Sequence, residues 1–286
     1  MGVYDAPQWL LSAWVRSCLG SGATAPPEEI RAVGTRLIER WSEPDRHFHT
    51  IKHLADVLAR VDELAEETHE PEVVRLAAWY HGAIFDAANE ASYANRGGED
   101  EVASADLALE ELTSLGVSEK RAVRVHDLVI ALRRHAPTSG DFDCAVLCDA
   151  DLAVLASEPQ RYKTYLRDIR AEYSHLPVED YVRARIRILT KLLQRRALFV
   201  SPLGTAWEEP ARQNVAAELH RLEKELATLE AASAEPSDDG GSAGSGSAGS
   251  STTATGSNGS SSAGPSGTGP SAAEPGHASQ PSPGRV

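Results

Sequence analysis

Apolar residues recur three and four positions apart along most of this chain. From Ile51, for example, Leu54, Leu58, Val61 and Ala65 fall on one face of a helix. Sustained strict alternation, which would mark half-buried strands, is hard to find. The pattern predicts an all-α protein. Proline and glycine punctuation divides it into helices at about 7–18, 27–41, 48–67, 71–81, 100–115, 118–135, 144–157, 159–173, 178–198 and 210–231. "APPEEI" places prolines where a first helical turn tolerates them and acids at the positive end of the helix dipole. "ANEASYANR" with Gly97 and Gly98 reads as a surface loop. In the last helix Leu219, Leu222, Leu226 and Leu229 are spaced for packing on the chain's own core or, as the alternative, on a partner.

The helical pattern stops near residue 231. Residues 232–286 are almost free of large apolar side chains and rich in Gly, Ser, Ala and Pro, so they are expected to form a disordered tail. The folded part is then one domain, 1–231, large enough for a substantial core. A net charge of -14, from 28 basic against 42 acidic residues, argues against a dedicated nucleic-acid binder. Two basic helical surfaces stand out against that charge, Arg183 to Arg196 and the group Arg161, Lys163, Arg167 and Arg170. Each reads as a solvated face or as the wall of a pocket for a phosphorylated molecule. Cys18, Cys144 and Cys148 suggest neither a disulfide framework nor a zinc knuckle. With no basic leader and no apolar run of membrane-spanning length, the expected setting is the cytoplasm, away from membranes.

Some polar groups are unusual for helices that otherwise read as core. His49 and His53, in "RHFHTIKHL", are four apart and share a helical face. His81 lies in "WYHGAIFD", and Asp149 and Asp151 lie in the apolar run "LCDADLAVLA". A carboxylate buried there needs a cation or a hydrogen-bond donor, and neutral imidazoles are good ligands for divalent metals. Two Glu-x-x-His units, "EETH" and "EYSH", have the spacing of di-iron bundle ligands, but both fall at helix ends and read more simply as C-terminal-turn residues.

With these residues in view, the chain resembles the HD superfamily of metal-dependent phosphohydrolases, and more narrowly its bacterial branch of predicted HD phosphohydrolases. "RHFHTIKHL", "AAWYHGAIFD", "EDEVASADLA", "CDADLAVLA" and "YLRDIRAEY" occur in the order of that branch, across about residues 28–200. The resemblance implies an HD-type helical bundle holding a divalent cation such as Mn, Mg, Fe or Ni. It places the first histidine ligand on His53, with His49 one turn earlier as competitor, the second on His81, and the distant aspartate on Asp151. It also implies substrate contacts at Arg46, His135 and Arg170, and an acidic position at Glu101.

One position departs from the pattern. The aspartate that follows the second histidine in the family is Gly82 here. Glycine offers no ligand, and the loss of a negative charge weakens a site for hard cations. Asp86, at the offset where one branch of the superfamily carries an acid implicated in activating water, and Glu101 are the candidates to act as catalytic acids or bases. Two functions are therefore expected to compete. One is hydrolysis of a nucleotide or another phosphorylated small molecule. The other is a non-catalytic protein that keeps the fold and binds a nucleotide or a protein partner.

Overall fold

The computed structural model describes residues 8–87 and 98–234, and everything below concerns those residues. The loop expected over residues 88–97 lies outside them, as does the expected tail beyond Ala234. The described residues form ten α-helices and no strand, so the chain is all-α. They are α1 (Gln8–Gly20), α2 (Pro27–Trp41), α3 (Ile51–Glu63), α4 (Pro71–Tyr80), α5 (Glu101–Ser114), α6 (Glu119–Ala131), α7 (Phe142–Leu152), α8 (Pro159–Glu172), α9 (Val178–Leu193) and α10 (Glu208–Ala234). All ten belong to one compact unit.

α4 is the hub. It packs against α1, α3, α5, α6 and α7, and Val73, Val74, Leu76, Ala77, Ala78, Trp79 and Tyr80 are all buried. Ala77 and Ala78 keep one surface of the helix slim enough for neighbours to approach closely, and the aromatic pair at its end fills the space beyond. Trp14 of α1 meets Trp79 and Tyr80 edge to face, at centroid distances of 5.4 and 5.8 Å. A helix hidden on every side presents its last turn to the protein interior, and His81 is the residue that ends it.

Two apolar clusters divide the fold. The first joins α1 to α7 around Trp14, Trp41, Trp79 and Tyr80. The second joins α8, α9 and α10 around Tyr162, Tyr165, Ile169, Leu189, Phe199 and Val215. α10 enters the second cluster through Ala211, Val215 and Leu222, so its leucine stripe packs on its own domain. Behind the second cluster, buried Arg185 bonds Glu218 at 2.8 Å and the Tyr165 hydroxyl at 2.8 Å. Tyr162 donates to the same glutamate at 2.6 Å, so this buried charge pair is hydrogen-bonded throughout.

α3 departs from expectation at its start, predicted from 48 but beginning at Ile51, and α9, predicted to 198, ends at Leu193. The backbone N–H groups of His47, Phe48 and His49 all donate to one oxygen of Glu172, at 2.9, 2.8 and 2.8 Å. Three amides converging on one carboxylate oxygen hold this segment in a turn, and no local sequence pattern announces it. Similarly, the helix predicted to reach 135 stops at Ala131, and His135 takes a left-handed backbone with φ of 44°. α7 ends at Leu152 and tightens into a 3-10 turn over Ala153–Ala156.

Candidate metal centre

Three ligand-type side chains converge between the two clusters. His53 comes from the first turn of α3, His81 caps the C-terminus of α4, and Asp151 lies in the last turn of α7. Their ligating atoms form a triangle: His53 Nε2 to His81 Nε2 is 3.2 Å, His53 Nε2 to Asp151 Oδ1 is 3.2 Å, and His81 Nε2 to Asp151 Oδ1 is 3.6 Å. Ligands about 2.0–2.1 Å from one tetrahedral cation stand roughly 3.3 Å from each other, so these three fit a metal. Among the described residues this is the one group of three His, Cys, Asp or Glu gathered this tightly. The C-terminal ends of α4 and α7 add partial negative charge, which favours a cation.

The donor chemistry agrees. His81 Nδ1 donates to the Ala78 carbonyl at 2.6 Å, which leaves Nε2 as a bare lone pair facing the centre. Burial pushes the His81 imidazolium down to about 4, so the ring is neutral at ordinary pH. Burial also acts to raise Asp151, but hydrogen bonds from His135 and His53 and the nearness of His81 outweigh it and hold the carboxylate well below its usual range. His135 Nε2 bonds the second Asp151 oxygen at 2.7 Å. The unusual backbone of His135 is itself held, because Arg195 donates to the carbonyls of Arg134 and His135 at 2.9 and 3.1 Å. A left-handed backbone at a non-glycine residue carries a cost, and here it aims an imidazole at a ligand carboxylate.

The two histidine candidates on α3 and its preceding turn separate cleanly. His53 enters the triangle, whereas His49 turns to two other carboxylates. Its Nδ1 donates to Glu172 Oε2 at 2.8 Å and its Nε2 lies 3.7 Å from Glu99 Oε2. Burial lowers the His49 pKa, but the two glutamates overcome it and carry the group to about 9. His49 is thus an imidazolium beside the centre.

Other candidates go elsewhere. Arg46 is buried and bonds the carbonyls of Gly82, Ala83 and His49 at 2.7, 3.2 and 3.2 Å, with Glu43 at 3.1 Å. Its guanidinium is committed to shaping the turn after α4. Arg170 bonds the carbonyls of Tyr173 and Leu176 at the end of α8 and stacks over Tyr181. Glu172 is buried beneath the 47–49 turn. Asp149 points away from Asp151, as positions two apart on a helix must, and accepts the amides of Val200 and Ser201 at 3.0 and 2.8 Å. Asp86 is exposed and lines a cavity with Arg46, Phe85 and Ala171 that does not include Asp151. Glu101 is the first residue of α5, half-buried, two residues from Glu99. Of the Glu-x-x-His units, Glu66 and His69 are exposed and Glu172 serves His49, so they gather no second metal cluster among the described residues.

Two cavities reach Asp151. The smaller, about 60 Å³, is lined with Lys52, Arg60 and Arg161 as well as His53. Arg60 and Arg161 are ion-paired with Glu63 and Asp56. The larger, about 350 Å³, has His49, Glu99 and His135 at the Asp151 end and Phe48, Tyr165 and Tyr173 among its aromatic walls. Sequence reasoning missed Glu99, the buried role of Glu172, and the clamp from Arg195. An acid just before the N-cap Asp100 is ordinary in a sequence, and nothing local marks it as facing a histidine cluster. Among the described residues no helix is long and apolar enough to cross a membrane. No protein-family model and no curated protein matches the chain.

Proposed function

We propose that this chain is a metal-dependent phosphohydrolase acting on a phosphorylated small molecule. The observation that carries the reading is the His53–His81–Asp151 triangle, two imidazole Nε2 atoms and one ionised carboxylate at metal-ligand spacing. A divalent cation held there supplies Lewis acidity toward a phosphoryl oxygen and a nucleophilic water at neutral pH. The mixed N/O set suits Mn²⁺, Fe²⁺ or Ni²⁺ better than Mg²⁺, which prefers an all-oxygen shell. The chain's own groups divide the remaining work. His135 orients Asp151, and the His49 imidazolium offers a hydrogen bond or a proton to an oxygen at the cavity mouth. The aromatic cavity of about 350 Å³ is sized for the organic part of a small substrate, such as a base or an aryl group. The sequence resemblance to HD phosphohydrolases points the same way.

A second reading has one specific observation in its favour. The position where the family carries its aspartate is a glycine whose side-chain space is taken by Trp41. A non-catalytic protein that binds a nucleotide or a partner would tolerate that loss. Phosphate release from a panel of phosphomonoesters and nucleotides, with Mn²⁺ present, separates the two. Turnover by the full chain that disappears in Asp151→Asn supports hydrolysis. Ligand-induced thermal stabilisation without phosphate release supports the binding protein.

A further inference from the structure

Gly82 leaves the centre one carboxylate short, yet a carboxylate stands beside it. A Cβ placed on Gly82 would lie 3.2 Å from Glu99 Oε1. Glu99 reaches this place through an isolated antiparallel bridge between Phe85 and Glu99. The Asp86 amide donates to the Gly98 carbonyl at 2.7 Å, the Asp100 amide to the Ile84 carbonyl at 3.1 Å, and the Gly98 amide to the Tyr173 hydroxyl at 2.7 Å. The first two bonds tie residues 98–100 to the segment directly after Gly82 and the third anchors Gly98 on Tyr173, so the side chain of Glu99 is delivered from a fixed backbone. Gly98 is itself required: a Cβ there would come within 2.7 Å of the Phe85 ring.

We infer that Glu99 supplies, from the neighbouring strand-like segment, the negative charge that residue 82 lacks, and is the second carboxylate of the divalent-cation site. The inference rests on the cation-site reading above. The charge count supports it. Both imidazoles of the triangle contribute none when neutral, and Asp151 contributes one negative charge against a dication. His49, 2.8 Å from Glu172 and 3.7 Å from Glu99, offsets one of those two acids. Glu99 is the other acid lining the larger cavity with Asp151; burial raises its carboxyl, the neighbouring His49 lowers it, and in its ionised form it brings the total to two. Its oxygens lie outside the tight triangle, so it acts as a charge and hydrogen-bond acceptor at the rim of the centre.

The test is Mn²⁺ binding by the metal-free full chain, read from the free-ion electron paramagnetic resonance signal, for wild type, Asp151→Asn, Glu99→Gln and Glu99→Asp. The expected result is loss of binding in Asp151→Asn and weakening by about 10–100-fold in Glu99→Gln. Glu99→Asp, which keeps the charge, should bind more tightly than Glu99→Gln. Melting of the metal-free variants checks that each is folded. If Glu99→Gln binds like wild type while Asp151→Asn does not, the role of Glu99 is overturned and the cation site stands. Equal weakening of the Gln and Asp variants overturns the role of Glu99 in the same way. A wild-type chain that binds no Mn²⁺ overturns both readings.

Discussion

Replacing Gly82 with alanine tests whether position 82 has room for any side chain. Gly82 does not have a positive φ, so the backbone alone would admit any residue. The obstacle is space. An added Cβ would lie 2.7 Å from Trp41 Cη2 and 3.3 Å from Cζ2, closer than carbon atoms pack. Trp41 has little room to retreat. It is fully buried, its Nε1 donates to the Trp79 carbonyl at 2.9 Å, and its ring packs against His81 and the Arg46 guanidinium at 5.0 and 5.2 Å. Overpacking of this kind costs about 1–3 kcal/mol. For a domain of this size each kcal/mol moves the midpoint by roughly 2–4 °C, so Gly82→Ala should lower Tm by about 2–12 °C. Urea denaturation of wild type, Gly82→Ala, Trp41→Phe and the double variant gives the coupling directly. Trp41→Phe loses the indole hydrogen bond and leaves a void, destabilising by itself. It also removes the ring edge that the new methyl would strike, so the double variant should be more stable than the sum of the two by about 1 kcal/mol or more. A Gly82→Ala chain as stable as wild type, or strictly additive energies, would refute the steric account.

Other outcomes follow from the same contacts. His135→Ala should weaken Mn²⁺ binding about 10–100-fold, because Asp151 loses its orienting bond, while isothermal titration of Asp151→Asn shows no binding at all. Glu172→Ala orphans three amides and the His49 ring, so it should destabilise by at least about 3 kcal/mol. Hydrogen exchange at residues 47–49 should then accelerate. In Glu172→Gln, the His49 pKa read by NMR should fall from about 9 toward its ordinary value. The metal-free protein should be most stable near pH 6.5. His81, depressed to about 4, contributes stability above 6.5 that is lost as pH falls toward 4. His49, raised to about 9, contributes stability below 6.5 that is lost as pH rises through 9. Each shift is worth about 3 kcal/mol, and a urea midpoint that stays flat from pH 4 to 9 would contradict both.

The helical class and most helices were legible from apolar spacing, because an amphipathic helix records in its own sequence the face it buries. α2, α4 and α8 begin at the predicted residues, where Pro27, Pro71 and Pro159 mark their first turns. His53, His81 and Asp151 stood out for a related reason, together with His49 and Asp149, as polar groups in helices that otherwise read as core; the sequence resemblance, not the residue pattern, chose among the five and left His49 as competitor to His53. Which partner each one takes is a matter of distance across the fold. Glu172 meets His47 to His49 across more than a hundred residues and turns a predicted helix start into a bend. Arg46 is used up on the carbonyls after α4, although a sequence shows it only as a cation suited to phosphate. Glu99 comes beside Gly82 through a single bridge, too short to leave a strand pattern. Local periodicity is written by each element separately. Convergence of charge, and the filling of an empty position by Trp41, depend on residues that have no relation in the sequence and meet only when the helices pack.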